Sequence, residues 1–279
     1  MTKREKCRIL SSDTSIPTEG LGHFVDGYDS GCETKPIGKT IVFGVLALVF
    51  LFEAVRMISH SEILELGFVL AFLIPGAGLV FLFLALRPWI LQFRNRVYVF
   101  DNGFVWTKER KGGKVVKKDK YDLDKIDGIK FNRTSRYLNG RVYLGTDYFF
   151  EIITNQKVVF QKSGSYSTPD DGGWVYFALQ SIMQQWMKIG LKRMNEELQT
   201  NGFLRFDDIV LSNEFIRKGN TKVPREDLRY TFEGSSLIID RASKEKKAMN
   251  LTHDIIVDVN NMMNGQLFLV AVKNLLGIG

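Results

Sequence analysis

Apolar positions in the first third of the chain fall into two unbroken blocks rather than an alternating pattern. From Leu66 to Leu86 the sequence reads LGFVLAFLIPGAGLVFLFLAL, with no charged residue. A helix of about 20 residues, at 1.5 Å rise each, crosses the roughly 30 Å hydrocarbon core of a bilayer. The earlier block, TIVFGVLALVFLF (Thr40–Phe52), is followed by Glu53 and Arg56, three apart on one helix face and placed to pair or to snorkel. Counted on to Ile58, it also reaches spanning length. The two blocks therefore predict a transmembrane helical hairpin over residues 39–93. Lys35 and Lys39 precede it and Arg87, Arg94 and Arg96 follow it. By the positive-inside bias this predicts a multi-pass protein of the cytoplasmic (cell) membrane with both termini in the cytoplasm. Pro75-Gly76 and Gly78 in the second block read as an ordinary kink.

After Arg96 the pattern becomes that of short strands. VYVFDNGFVWTK (Val97–Lys108) reads as strand, turn at Asp101-Asn102-Gly103, and strand. Gly112-Gly113 marks a hairpin turn. Ile126–Asn132, Arg141–Thr154 and Lys157–Lys162 read as further strands of an antiparallel meander. A helix is predicted to close the region. Pro169-Asp170-Asp171 signals its start, and Val175, Leu179, Ile182, Trp186, Leu191, Met194 and Leu198 recur near helical spacing. Asn201-Gly202 signals its stop.

The same order then recurs. FLRFDDIVLSNEFIRKG repeats the strand–turn–strand character, with Asn213-Glu214-Phe215-Ile216 matching Asn102-Gly103-Phe104-Val105. KVPREDLRYTF (Lys222–Phe232) parallels KYDLDKIDGIKF (Lys120–Phe131). SSLIIDR and KKAMNL read as strands, and Val257–Leu276 as the closing helix. The division expected is 1–38 as a disordered N-terminal segment, 39–93 as the hairpin, 94–201 as a first sheet-and-helix domain and 202–279 as a second, smaller one. The fold class is α+β, and the repeat is an approximate domain duplication rather than a solenoid.

Strands in a meander followed by one C-terminal helix is an order that resembles the pleckstrin-homology-like fold. The stretches VYVFDNGFVW, YDLDKIDGIKF, YLGTDYFFEIIT and FLRFDDIVLSNEFI through VPREDLRYTFEGSSLIID are similar to a bacterial two-span membrane protein family of unknown function carrying tandem pleckstrin-homology-like domains. Glu214 and Arg225 depart from that family's pattern. The resemblance implies no catalytic residues, and in such domains the first hairpin is where anionic head groups are bound.

Composition adds charge to this picture. The 279 residues carry a formal net charge of +7, with Cys7 and Cys32 the two cysteines. This is not a disulfide-rich scaffold. His23, His60 and His253 are widely separated, and no metal-ligand spacing, nucleophile elbow or phosphate-binding loop is present. The reading is therefore no enzyme, no cofactor and no metal. One cluster stands out: Lys108, Arg110, Lys111, Lys114, Lys117, Lys118 and Lys120, against Glu109 and Asp119. The first six are the candidate anionic-surface site. Each basic residue near an anionic surface is worth about 1 kcal/mol; the plainer reading is a solvated hairpin whose charges discourage edge pairing. Nucleic acid is disfavoured because Trp106 and Tyr121 read as sheet core rather than exposed stacking platforms. The expected function is a membrane-anchored, non-enzymatic binding protein presenting its domains to a protein partner or to anionic lipid head groups. The alternative is a subunit of a membrane transport or enzyme complex, with Glu53 as its intramembrane polar group.

Overall fold

The structure is a computed structural model that describes residues 3–9, 20–30, 37–59, 68–90, 93–110, 114–139, 141–167, 173–243 and 253–277. It is a mixture of helices and four antiparallel sheets. The chain divides into two compact units. One comprises 1–28, 97–105 and 120–279; the other comprises 29–96 and 106–119.

The second of these units holds two helices, α2 (Ile37–Ser59) and α3 (Phe68–Ile90), packed side by side. They approach through small residues seven apart, Ala47 and Ala54 on one and Gly78 and Ala85 on the other, a spacing that returns to the same stripe of a helix. A Cβ on Gly78 would meet Leu51 at 3.0 Å. Phe81 stacks between Phe43 and Phe50, at 6.3 and 5.4 Å between ring centres. The α3 helix runs through Pro75 without a break. Glu53 pairs with Arg56 at 3.5 Å, as their spacing suggests.

The transmembrane reading is corrected here. Among the described residues no helix is long and apolar enough to cross a membrane. The apolar run of α2 is interrupted by Lys39, Glu53 and Arg56. The fold is thus α+β with a helical hairpin; a transmembrane hairpin is not shown, and the multi-pass placement in the cell membrane is not supported. The hairpin does leave Leu48, Phe52, Leu79 and Phe83 more than half exposed.

Among the described residues, fourteen strands and three further α-helices make up the rest. Strands β1 (Phe24–Asp29), β2 (Phe93–Phe100), β3 (Gly103–Arg110) and β4 (Val115–Asp122) form one sheet in that order. Strands β5 (Gly128–Leu138), β6 (Val142–Thr154) and β7 (Lys157–Tyr166) form a second, and α4 (Trp174–Asn201) follows. The same count then recurs. Strands β8 (Leu204–Phe206), β9 (Ile209–Leu211), β10 (Phe215–Lys218) and β11 (Thr221–Pro224) form a four-stranded sheet. Strands β12 (Leu228–Glu233), β13 (Ser236–Arg241) and β14 (Ile255–Asp258) form a three-stranded one, followed by α5 (Gly265–Leu276). The link between the sheets is a single 3-10 turn both times, Leu123–Lys125 and Arg225–Asp227. Those turns lie in the two stretches, KYDLDKIDGIKF and KVPREDLRYTF, that the sequence pairs.

Three elements depart from the expected boundaries. The segment before residue 38 supplies a short helix, α1 (Lys3–Cys7), and β1, which carries a buried Tyr28. The first sheet therefore draws its first strand from ahead of the helical hairpin. Val257 and Asp258, expected to open the closing helix, instead end a strand, Ile255–Asp258, paired to β13, and the helix starts at Gly265. The expected strand KKAMNL lies outside the described residues.

The α4 helix explains the packing of the first repeat. Trp174, Phe177, Ala178, Ser181, Ile182, Gln185 and Trp186 recur every three or four residues and are buried. Gly202 ends the helix in the left-handed conformation at φ 73°, its N–H donating to Leu198 O at 2.9 Å. The β5–β7 sheet, α4 and the whole second repeat belong to the same compact unit. Gly190 of α4 comes so close to Leu267 of α5 that a Cβ would lie 2.4 Å from it. Asn264, at φ 61°, ties the repeats together: its Oδ1 accepts from Ile129 N at 3.0 Å and from Trp186 Nε1 at 3.2 Å.

Candidate functional site: a basic strand pair

The β3–β4 hairpin carries the basic cluster. Its described end is closed by Arg110 N donating to Lys114 O at 2.8 Å. Lys108 and Arg110, two apart, share one face of β3 and are exposed. Lys114, Lys117 and Lys118 are exposed on the return limb. Lys111 lies outside the described residues. The structure thus brings Lys108, Arg110, Lys117 and Lys118 onto two neighbouring strands, with Lys114 just ahead of β4 and with Lys117 and Lys118 on its opposite faces.

The acids among them are held away from the outer surface or paired. Glu109 points opposite to its neighbours and is 7% exposed. Thr107 Oγ1 donates to it at 3.4 Å, and Arg96 Nη1 lies 3.7 Å from its carboxylate. Arg96 also reaches Asp29 at 3.0 Å, where Arg94 binds as well. The strand alternation therefore sorts charge: carboxylates turn inward onto arginines while lysines remain outside. Asp119 is the exception, and it pairs with Lys117 at 2.7 Å. Lys108 Nζ sits 4.3 Å above the Phe93 ring, which holds its charge at the surface. Such an array attracts anions.

Two features of the other unit went unread in the sequence. The first is a cleft of about 430 Å³ lined by Lys120, Tyr121, Asp122, Lys125, Ile126, Thr154 and Val159. The Tyr121 ring, stacked on Phe104 at 4.6 Å, supplies an apolar wall. Lys125 pairs with Asp122 at 3.3 Å, and Asp122 also caps the 3-10 turn through Asp124 N. The cleft can take a small ligand with an apolar body and an acidic group. The YDLDK run encodes the turn, but the β6 and β7 residues that complete the cleft are distant in sequence.

The second is a buried polar cluster. Asp26 Oδ2 accepts from Tyr28 OH at 2.7 Å and from Ser181 Oγ at 3.0 Å; its Oδ1 accepts from Arg8 Nε at 2.8 Å and from Gly27 N at 3.0 Å. Arg4 donates to Tyr28 OH. Burial pushes the Tyr28 hydroxyl above its ordinary pKa; the Ser181 hydrogen bond opposes this and Asp26 adds to it. The hydrogen bond to Asp26 raises Arg8. Ser181 is 2% exposed, so substrate has no access to it. The cluster is a latch joining the N-terminal segment, β1 and α4.

His253 Nδ1 lies 3.0 Å from Asp240 Oδ2, and the His23 backbone N–H donates to Asp101; His60 lies outside the described residues. Among the described residues no group of three or more His, Cys, Asp or Glu could hold a metal ion. No family model matches the chain, and neither does any curated protein or any solved structure.

Proposed function

We propose that this chain is a non-enzymatic binding protein whose β3–β4 hairpin engages an anionic surface, with lipid head groups as the class of ligand. One observation carries the reading: the hairpin exposes Lys108, Arg110, Lys114, Lys117 and Lys118 while its acids are turned onto Arg96 or paired with Lys117. In the same reading each repeat of four strands, three strands and a helix is a pleckstrin-homology-like module, an order that the two 3-10 turns support.

The test uses the full chain and vesicles of two compositions, neutral and anionic, at low salt. The difference between the two compositions isolates charge from the apolar surface of α2 and α3. Arg110→Gln with Lys114→Gln removes two charges at about 1 kcal/mol each, so preference for anionic vesicles should fall roughly thirty-fold. Equal binding to both compositions by the unaltered chain would refute the proposal.

A further inference from the structure

We propose that the outer face of the β8–β11 sheet is a phosphate-binding site built on Arg205, Arg217 and Lys222. The strand register sets these residues in one row. Arg205 lies opposite Val210, Val210 opposite Arg217, and Arg217 opposite Lys222, across all four strands. Residues directly opposite one another share a face of the sheet, and neighbouring strands lie about 5 Å apart. Arg205, Arg217 and Lys222 are exposed. The other face of the sheet is core: Leu204, Phe206, Ile209, Leu211, Ile216 and Val223 are buried. The row therefore looks out on solvent from a rigid, close-packed support.

Without an anion this row works against the sheet. Lys218 pairs with Thr221 across the two-residue turn Gly219-Asn220. Such turns join a hydrogen-bonded pair, so Arg217 and Lys222, next along, form a non-hydrogen-bonded pair, the kind that brings side chains closest. The same alternation turns the Lys222 carbonyl away from β10, where it accepts from Arg241 Nη2 at 2.9 Å. Like charges directly opposite one another destabilise a strand pair. Among the described residues no carboxylate forms an ion pair with Arg205, Arg217 or Lys222. Glu197 reaches the same strand but accepts from the Arg205 backbone N–H, at 3.3 Å. Lys222 Nζ sits 3.9 Å from the centre of the Phe215 ring, which positions the ammonium without neutralising it.

The chemistry of the row selects the ligand. An arginine fork meets phosphate oxygens two at a time, and a lysine adds a compact point charge. Two forks flanking Val210, with a lysine beside the second, suit a phosphate or diphosphate group that takes N–H donors from all three. The site belongs to the second repeat alone. By the match of Asn213–Ile216 to Asn102–Val105, Trp106 stands in the first repeat where Arg217 stands here. The inference therefore does not rest on the β3–β4 hairpin.

Isothermal titration of the full chain with pyrophosphate at low salt tests this. The unaltered chain should bind saturably at one site. Arg205→Gln, Arg217→Gln and Lys222→Gln should each weaken binding roughly ten-fold or more. R110Q/K114Q, in the first repeat, should leave it unchanged, which keeps this result separate from that of the β3–β4 hairpin. Urea unfolding without ligand adds a second readout: Arg217→Gln should be no less stable than the unaltered chain, because it removes a like-charge pair. Soluble short-chain phosphatidic acid that displaces pyrophosphate would assign the phosphate to a lipid head group, and pyrophosphate binding that this lipid leaves untouched would assign it to a free phosphate. No saturable binding, binding indifferent to the three single changes, or an equal loss in R110Q/K114Q would overturn the proposal.

Discussion

Replacing Asn264 should unfasten the two repeats from each other. Its Oδ1 accepts from two donors, Ile129 N at 3.0 Å and Trp186 Nε1 at 3.2 Å, and its Nδ2 donates to Asp127 O at 3.3 Å. Trp186 is 1% exposed, so its indole N–H has no recourse to solvent. Stranding a buried donor costs about 1–3 kcal/mol. Asn264→Gly keeps the backbone at φ 61° comfortable and removes only the side chain; it should cost about 2–4 kcal/mol. Asn264→Ala adds roughly 1–2 kcal/mol for placing a Cβ in the left-handed region. Asn264→Asp keeps the acceptor and loses the donor, so it should be milder than either. Urea unfolding followed by Trp fluorescence and by far-ultraviolet circular dichroism measures all three. A loss below about 0.5 kcal/mol for Asn264→Gly would refute the assignment of Asn264 as the tie between repeats.

Other predictions follow the same logic. Asp26→Asn leaves Tyr28, Ser181 and Arg8 competing for a neutral amide, and should cost about 2–4 kcal/mol with earlier proteolysis ahead of residue 30; unchanged protease sensitivity would count against the latch. Gly265→Ala drives a Cβ to 2.1 Å from Val259 O, a backbone atom that cannot swing aside, and should lower the urea midpoint more than Gly202→Ala, whose Cβ meets nothing within 4 Å though its φ is 73°. Tyr166 is pushed up to about 12, first by burial and then by its hydrogen bond to Tyr176. Its folded pKa exceeds the unfolded value of about 10, so its contribution is intact below pH 10 and is lost as pH rises toward 12. Ultraviolet titration should show late tyrosines, Tyr28 and Tyr166 among them, and Tyr166→Phe should remove one of these.

Much of the repeat was legible because its signals are local. The turn at Asp101-Asn102-Gly103, the αL stop at Gly202 and the paired stretches around the 3-10 turns are written in adjacent residues. What was not legible depends on distant partners. The strand Phe24–Asp29 precedes the helical hairpin and joins a sheet whose other strands begin at Phe93, so nothing near it signals pairing. Strand β5 runs six residues past its expected end at Asn132, because RTSRYL has no buried face and is held by cross-strand pairing to β6. Val257 and Asp258 were read into the closing helix because Val259, Met262 and Met263 continue a helical spacing. At the candidate site, the sequence gathers the lysines, but only alternation along β3 and the position of Arg96 show that Glu109 leaves their surface. Apolar run length was the weakest guide, since Lys39, Glu53 and Arg56 break the first run while leaving the helix intact.

The most direct measurement of the proposed function is co-sedimentation of the full chain with anionic and neutral vesicles across a salt series. The account predicts a preference for anionic vesicles that falls with rising salt and is reduced roughly thirty-fold by R110Q/K114Q. Binding that ignores vesicle charge, or a preference that survives that double change, would contradict it.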